Sequence, residues 1–165
     1  MNIEIGCNKL GDGAPCYIVA EMSGNHGGSL DRAKEIIYQA KKSGADAVKI
    51  QVYKADTMTI DCNKPDFLIP QDNPWSKFRT LYDLYDYAHT PWEWIPELMA
   101  EAKKNKIDIF GSVFDVSSVA LMENLDSVAY KIASPEIADT ELLKSVAATG
   151  KPVILSTGLA SLKDL

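Results

Sequence analysis

Histidine and cysteine are scarce. The chain has two histidines, His26 and His89, and three cysteines, Cys7, Cys16 and Cys62. No pair of cysteines has CxxC or CxxH spacing, which argues against a structural zinc site, and an odd count argues against a disulfide framework. Reduced thiols are expected. Basic charge is also in deficit: Lys and Arg number 17 against 23 Asp and Glu, for a net charge of −6 and a pI near 4.9. Nucleic acid is therefore not an expected partner, because a phosphate backbone calls for a basic face. No apolar run approaches the roughly 20 residues that cross a bilayer, and Met1 to Gly6 shows no charged-then-apolar leader. The expectation is a cytoplasmic protein with no membrane partner. No GxGxxG follows the first apolar run, against a dinucleotide fold, and no Ser/His/Asp or Cys/His arrangement offers a nucleophile. What is present, 46% hydrophobic and 24% charged residues in a chain of 165, suffices for a sizeable core.

The hydrophobic pattern alternates between two periods. Cys16 to Met22 reads as a strand, followed by the turn Ser23-Gly-Asn-His-Gly-Gly28. A helix follows, with Ala33, Ile36, Ile37 and Ala40 on one stripe, Ser29 as N-cap, Asp31 in the first turn and Gly44 as the stop. Ala47 to Val52 is a second strand. From Tyr53 to His89 runs a long βα loop, whose Trp75, Phe78, Tyr82, Tyr85 and Tyr87 carry too much apolar surface for disorder and suggest an ordered lid or subunit contact. Thr90-Pro-Trp-Glu93 reads as a capping box opening a helix to about Asn105. The pattern then repeats as strand Asp108 to Val113, a helix capped by Asp115 with Val119, Met122 and Leu125, strand Val128 to Ala133, helix Asp139 to Thr149, and strand Pro152 to Ser156 before a nascent helix. Such alternation predicts an α/β fold with an all-parallel sheet. Five strands and four helices make an incomplete (β/α)8 TIM barrel, since a closed one takes roughly 250 residues. A doubly wound open sheet is the competing architecture.

Four of the apolar runs end in polar residues: Lys49-Ile-Gln51, Gly111-Ser112, Lys131-Ile-Ala-Ser134 and Ser156-Thr-Gly158. A parallel barrel gathers such ends on one surface. Lys49 and Gln51, two apart, leave the same strand face, opposite Val48 and Ile50. A lysine inside an apolar strand is costly unless an anion or carboxylate offsets it, and Lys131 repeats the situation. Two converging lysines suggest a bound phosphate or carboxylate. The amides of Ser156-Thr-Gly158, opening a helix, would suit a phosphate oxygen, although Ser134, Ser156 and Thr157 serve equally well as turn or capping hydroxyls. Glu21, Asn25 and His26 share one rim. Two histidines build no metal site by themselves.

The motifs AEMSGNHGGSLDRA, GADAVKIQVY, the FD of GSVFD, YKIAS and GKPVILSTG together resemble the sialic acid synthase family, along most of the chain. The segment from Thr80 to Tyr85 through Thr90 to Trp94 looks like its pseudaminic acid synthase branch. The resemblance implies the N-terminal part of a (β/α)8 barrel spanning 1–165, with the rest of the barrel and an antifreeze-like domain elsewhere. It implies condensation of phosphoenolpyruvate with an N-acylated amino-sugar aldehyde to a nonulosonic acid, with N-acetylneuraminate or legionaminate as alternative products. Carried over by position, Lys49, Ser112, Lys131, Ser134 and Ser156 hold phosphoenolpyruvate, with Gln51 nearby and Glu21 beside the reacting carbons. A divalent metal, manganese or magnesium, is implied, with ligands outside this segment, as are a homodimer and an inactive fragment. The chain departs from the family where Gly111-Ser-Val-Phe-Asp115 stands for Ser-Thr-Pro-Phe-Asp, and where Pro135 replaces an aromatic residue. Two further readings stand beside this one: a Schiff-base aldolase using Lys49 or Lys131, and a non-catalytic barrel remnant.

Overall fold

The computed structural model describes residues 3–165. Five strands form one parallel sheet: β3 (Val19–Glu21), β4 (Ala47–Val52), β5 (Asp108–Val113), β6 (Tyr130–Ile132) and β7 (Val153–Leu155). Their spatial order is their chain order, with no reversal. A doubly wound sheet would reverse at a switch point, so the competing architecture is excluded, and the sheet is an arc of a (β/α)8 barrel. The expected helices are α1 (Leu30–Lys42), α4 (Ile95–Asn105), α5 (Val116–Asn124) and α6 (Thr140–Ala148). Three of them start at a side-chain cap. Ser29 accepts from the Arg32 amide, Asp115 from Ser117 and Ser118, and Asp139 from Glu141 and Leu142.

Strand alternation sorts the side chains into two layers. Val48, Ile50 and Val52 face outward, fully buried against Ile37, Ile95, Leu98 and Met122 of the helices. A second cluster, Ala47, Phe110 and Ala129 with Val19 and Ile154, packs inside the arc. Beneath it lies an antiparallel hairpin, β1 (Ile3–Ile5) and β2 (Asn8–Leu10), which contributes Ile5 and Leu10. Asn8 and the Tyr17 hydroxyl donate to Asp108 Oδ2 at 2.9 and 2.8 Å, tying this floor to the start of β5.

The structure corrects several expectations. The hairpin was hidden because its strands are three residues long and polar on one side, turned by Gly6 at φ 57°. The first barrel strand is shorter than Cys16 to Met22. The excursion after β4 is ordered but is no simple loop, holding α2 (Ala55–Met58) and α3 (Leu81–Ala88), the latter closed by a Thr80/Asp83 capping box. Thr90 caps nothing: it is buried, and α4 starts only at Ile95, after a 3-10 turn over Trp92–Trp94. No helix follows β7; residues 156–165 form turns.

Candidate functional site

Above the apolar inner layer, the inward positions turn polar as the strands approach their carboxyl ends. The ladder sets Glu21 opposite Lys49, Gln51 opposite Ser112, and Ser112 opposite Lys131. Ser156 follows β7, its amide still bonded to the Ile132 carbonyl at 3.0 Å. Lys49 is ion-paired with Glu21 and donates to Ser112 Oγ at 3.3 Å. Glu21 is held from its other oxygen, which accepts from the Ser23 amide at 3.1 Å and the Ser23 hydroxyl at 2.8 Å.

Lys131 differs from Lys49 in having no carboxylate within ion-pair distance among the described residues. Its Nζ donates to Ser156 Oγ at 2.6 Å and to the Ile132 carbonyl at 2.5 Å. Burial, and then the charge of Lys49, lower its pKa, against the opposing charges of Glu136 and Glu21. An ammonium held this way gains most from an incoming anion, which supplies the countercharge the protein withholds.

Ser134 occupies the same rim but is engaged: its Oγ accepts from the Gly158 amide at 3.3 Å. Gly158 permits this approach, since a Cβ there would lie 3.0 Å from that oxygen. One amide of the expected Ser156-Thr-Gly158 array is thereby consumed, and the helix that would have aimed the others is absent from residues 156–165. Hydroxyls and lysines line this part of the rim.

His26 is no free imidazole. It is 1% exposed, its Nδ1 accepts from the Gly28 amide at 3.2 Å, and its Nε2 lies 3.3 Å from Thr90 Oγ1. Its ring meets Trp94 edge-on at 5.6 Å. It pins the first βα turn to the segment entering α4, and burial, then the charge of His89, lower its pKa. Among the described residues no group of three or more His, Cys, Asp or Glu side chains is placed to hold a metal ion.

Sequence reasoning missed Glu136. It lies in the 3-10 turn Pro135–Ala138 after β6, its Oε2 buried without a hydrogen-bond partner and its charge acting on Lys131. An orphaned carboxylate oxygen is costly. In sequence it looked like one more acid in a proline-containing turn.

The curated pseudaminic acid synthase of Campylobacter jejuni subsp. jejuni is 43% identical over 90% of this chain, and the N,N'-diacetyllegionaminic acid synthase of Legionella pneumophila is 34% identical over 97%. The chain spans 43% and 44% of the length of those two relatives. The crystal structure of an N-acetylneuraminic acid synthetase from Leptospira borgpetersenii superposes with a TM-score of 0.83 at 29% identity, covering 99% of this chain and 52% of that one. A model of the NeuB family matches residues 36–165, a stretch that holds Lys49, Gln51, Ser112, Lys131, Ser134 and Ser156. With its parallel arc, its lysine-lined rim and that match, the chain belongs to the NeuB family.

Proposed function

We propose that the protein carrying this chain condenses phosphoenolpyruvate with an N-acylated amino-sugar aldehyde, giving a nonulosonic acid of the pseudaminic type and releasing phosphate. The observation that carries this reading is Lys131, a half-buried ammonium with hydroxyl and carbonyl partners only, facing the ion-paired Lys49 across Ser112. Lys131 and Lys49, with Ser112, Ser134 and Ser156, hold the phosphate and carboxylate. Gln51 lines the same row. Held in place, C3 of phosphoenolpyruvate attacks the aldehyde carbon, whose oxygen takes up a proton, and C2 becomes cationic. Water adds to C2 and loses one proton. The tetrahedral intermediate then expels phosphate by breaking the bond from C2 to the phosphate's bridging oxygen, while the new C2 hydroxyl gives its remaining proton to the departing phosphate and becomes the keto group. Glu21, fixed by Ser23 and Lys49, is placed to orient that water or accept its proton. The lysines stabilise the phosphate as it departs.

The divalent metal of this proposal, manganese or magnesium, finds no ligand set in residues 3–165. The proposal includes a homodimer and a cytoplasmic location, with residues 1–165 inactive by themselves. Phosphoenolpyruvate carrying 18O at the bridging position tests the reaction in the complete protein. Label in the released phosphate supports C–O cleavage; label retained in the sugar product rejects it.

A second reading rests on the lowered pKa of Lys131, which also suits a Schiff-base nucleophile. Borohydride reduction in the presence of substrate decides between them. Covalent labelling of Lys131 would replace the phosphoenolpyruvate scheme, and phosphate release with no labelling upholds it.

A further inference from the structure

Among the described residues three other than glycine have a positive φ: Ser23 at 47°, Lys106 at 54° and Asp126 at 55°. Lys106 and Asp126 follow the ends of α4 and α5, where a left-handed residue is an ordinary way to close a helix. Ser23 closes no helix. It follows β3, as the first central residue of the turn in which the Asn25 amide donates to the Met22 carbonyl at 3.0 Å. A positive φ at that position ordinarily belongs to glycine, which adopts it without strain. The turn is fixed on both sides. The Met22 amide donates to the Lys49 carbonyl at 3.0 Å, and a Cβ on the next residue, Gly24, would lie 3.1 Å from the Ala88 carbonyl.

What Ser23 supplies and a glycine would not is a hydroxyl. Its amide and its hydroxyl both donate to Glu21 Oε1, at 3.1 and 2.8 Å, while Lys49 pairs with Oε2. Among the described residues Glu21 takes these three donors. A carboxylate offers about four acceptor sites, two on each oxygen. Oε1 is therefore filled, and the open site is on Oε2, beside the Lys49 ammonium. Lys49 also donates to Ser112 Oγ at 3.3 Å, so Oε2 is the oxygen tied to the row of polar strand ends.

We infer that Ser23 is a positioning residue, kept in a strained conformation so that its hydroxyl fills Glu21 Oε1 and leaves Oε2 to accept a hydrogen bond from the water that adds to phosphoenolpyruvate. The inference rests on the proposed reaction and distinguishes the two oxygens of Glu21, which that reaction alone treats alike. Without the hydroxyl, a site on Oε1 opens, the water divides between two oxygens, and it is less often oriented for attack. Strain kept where a smaller residue would relieve it fits a position that serves activity rather than stability.

The test uses the complete protein with phosphoenolpyruvate and a 6-deoxy-2,4-diacetamido hexose as the aldehyde, reading phosphate release and thermal melting. Ser23→Gly removes the hydroxyl and the strain together, whereas Ser23→Ala removes the hydroxyl and keeps the Cβ. Both are expected to lower kcat about tenfold or more with KM for phosphoenolpyruvate unchanged, and the glycine variant is expected to melt above the alanine one. Ser23→Gly combined with Glu21→Gln should lose no more than Glu21→Gln does, since Ser23 acts through Glu21. Wild-type kcat in either Ser23 variant, a glycine variant that melts below the alanine one, or losses that multiply in the combined variant would overturn the inference and leave the reaction standing. Wild-type activity in Glu21→Gln would remove Glu21 from the reaction and overturn the inference with it. No phosphate release by the wild type would overturn the reaction itself, and the inference that rests on it.

Discussion

Lys131 and Lys49 share a rim but differ in what holds them, and the difference decides how each responds to substitution. Lys49 has Glu21 as a countercharge, while Lys131 has only Ser156 and a carbonyl. Lys131→Met removes the uncompensated charge and two donated bonds, and should weaken phosphoenolpyruvate binding by about 10- to 100-fold, the worth of one charge-assisted contact, measured by calorimetry. No ion pair is broken by the change, although Glu136 and Glu21 lose a nearby positive charge, so a urea melt of the variant accompanies the binding measurement. Lys49→Met leaves Glu21 without its partner in the rim and is expected to cost stability as well as affinity. At His26 the governing variable is pH. Its folded pKa is depressed by burial, so the unfolded chain binds the extra proton first as pH falls. The stability it contributes is therefore complete above the ordinary histidine value of about 6.5 and is lost as pH drops through that value toward the folded one. Urea melts across this window should show a steeper acid decline for wild type than for His26→Gln. Equal slopes would mean that the buried imidazole is not the group responsible.

Caps decide where the elements begin, and they also show where sequence is a good guide. Asp115 accepts from the Ser117 and Ser118 amides, both at 3.1 Å, and Ser118 Oγ in turn accepts from the Asp115 amide at 3.2 Å. Asp115→Ala should destabilise the protein by about 1 kcal/mol, with faster hydrogen exchange confined to the first turn of α5. A change of exchange spread over the whole sheet would contradict a local cap. Asp139 heads the expected helix but is its cap rather than its first residue; Ser29 and Asp115 were readable because a short polar side chain precedes an apolar stripe. Thr90 fits the same rule and misled. Buried, it lies against His26, a partner 64 positions away in the chain that no local pattern reveals. The hairpin Ile3–Leu10 escaped notice for a related reason: it is too short for a period to show, and its role comes from Asp108, far along the chain. Lys49, Gln51, Ser112 and Lys131 were legible because strand alternation assigns them one face. Glu136 was not, since a turn residue has no periodicity to betray its direction.

At the scale of the molecule, the sheet has two edges, β3 and β7, without a further strand among the described residues. Near them the apolar side chains of Ile18, Val153 and Leu155 are 54%, 42% and 41% exposed. A closed barrel has no such edges. The superposed synthetase chain is about twice as long, and the curated relatives are longer still. The polar rim lies along the carboxyl ends of this arc, where Lys49, Ser112, Lys131 and Ser156 come together. The most direct test is phosphate release from phosphoenolpyruvate by the complete protein, followed with and without the diacetamido aldehyde, for wild type and Lys131→Met. The account predicts release that depends on the aldehyde and falls at least about tenfold in the variant. Aldehyde-independent release, or a variant as active as wild type at low phosphoenolpyruvate, would contradict it.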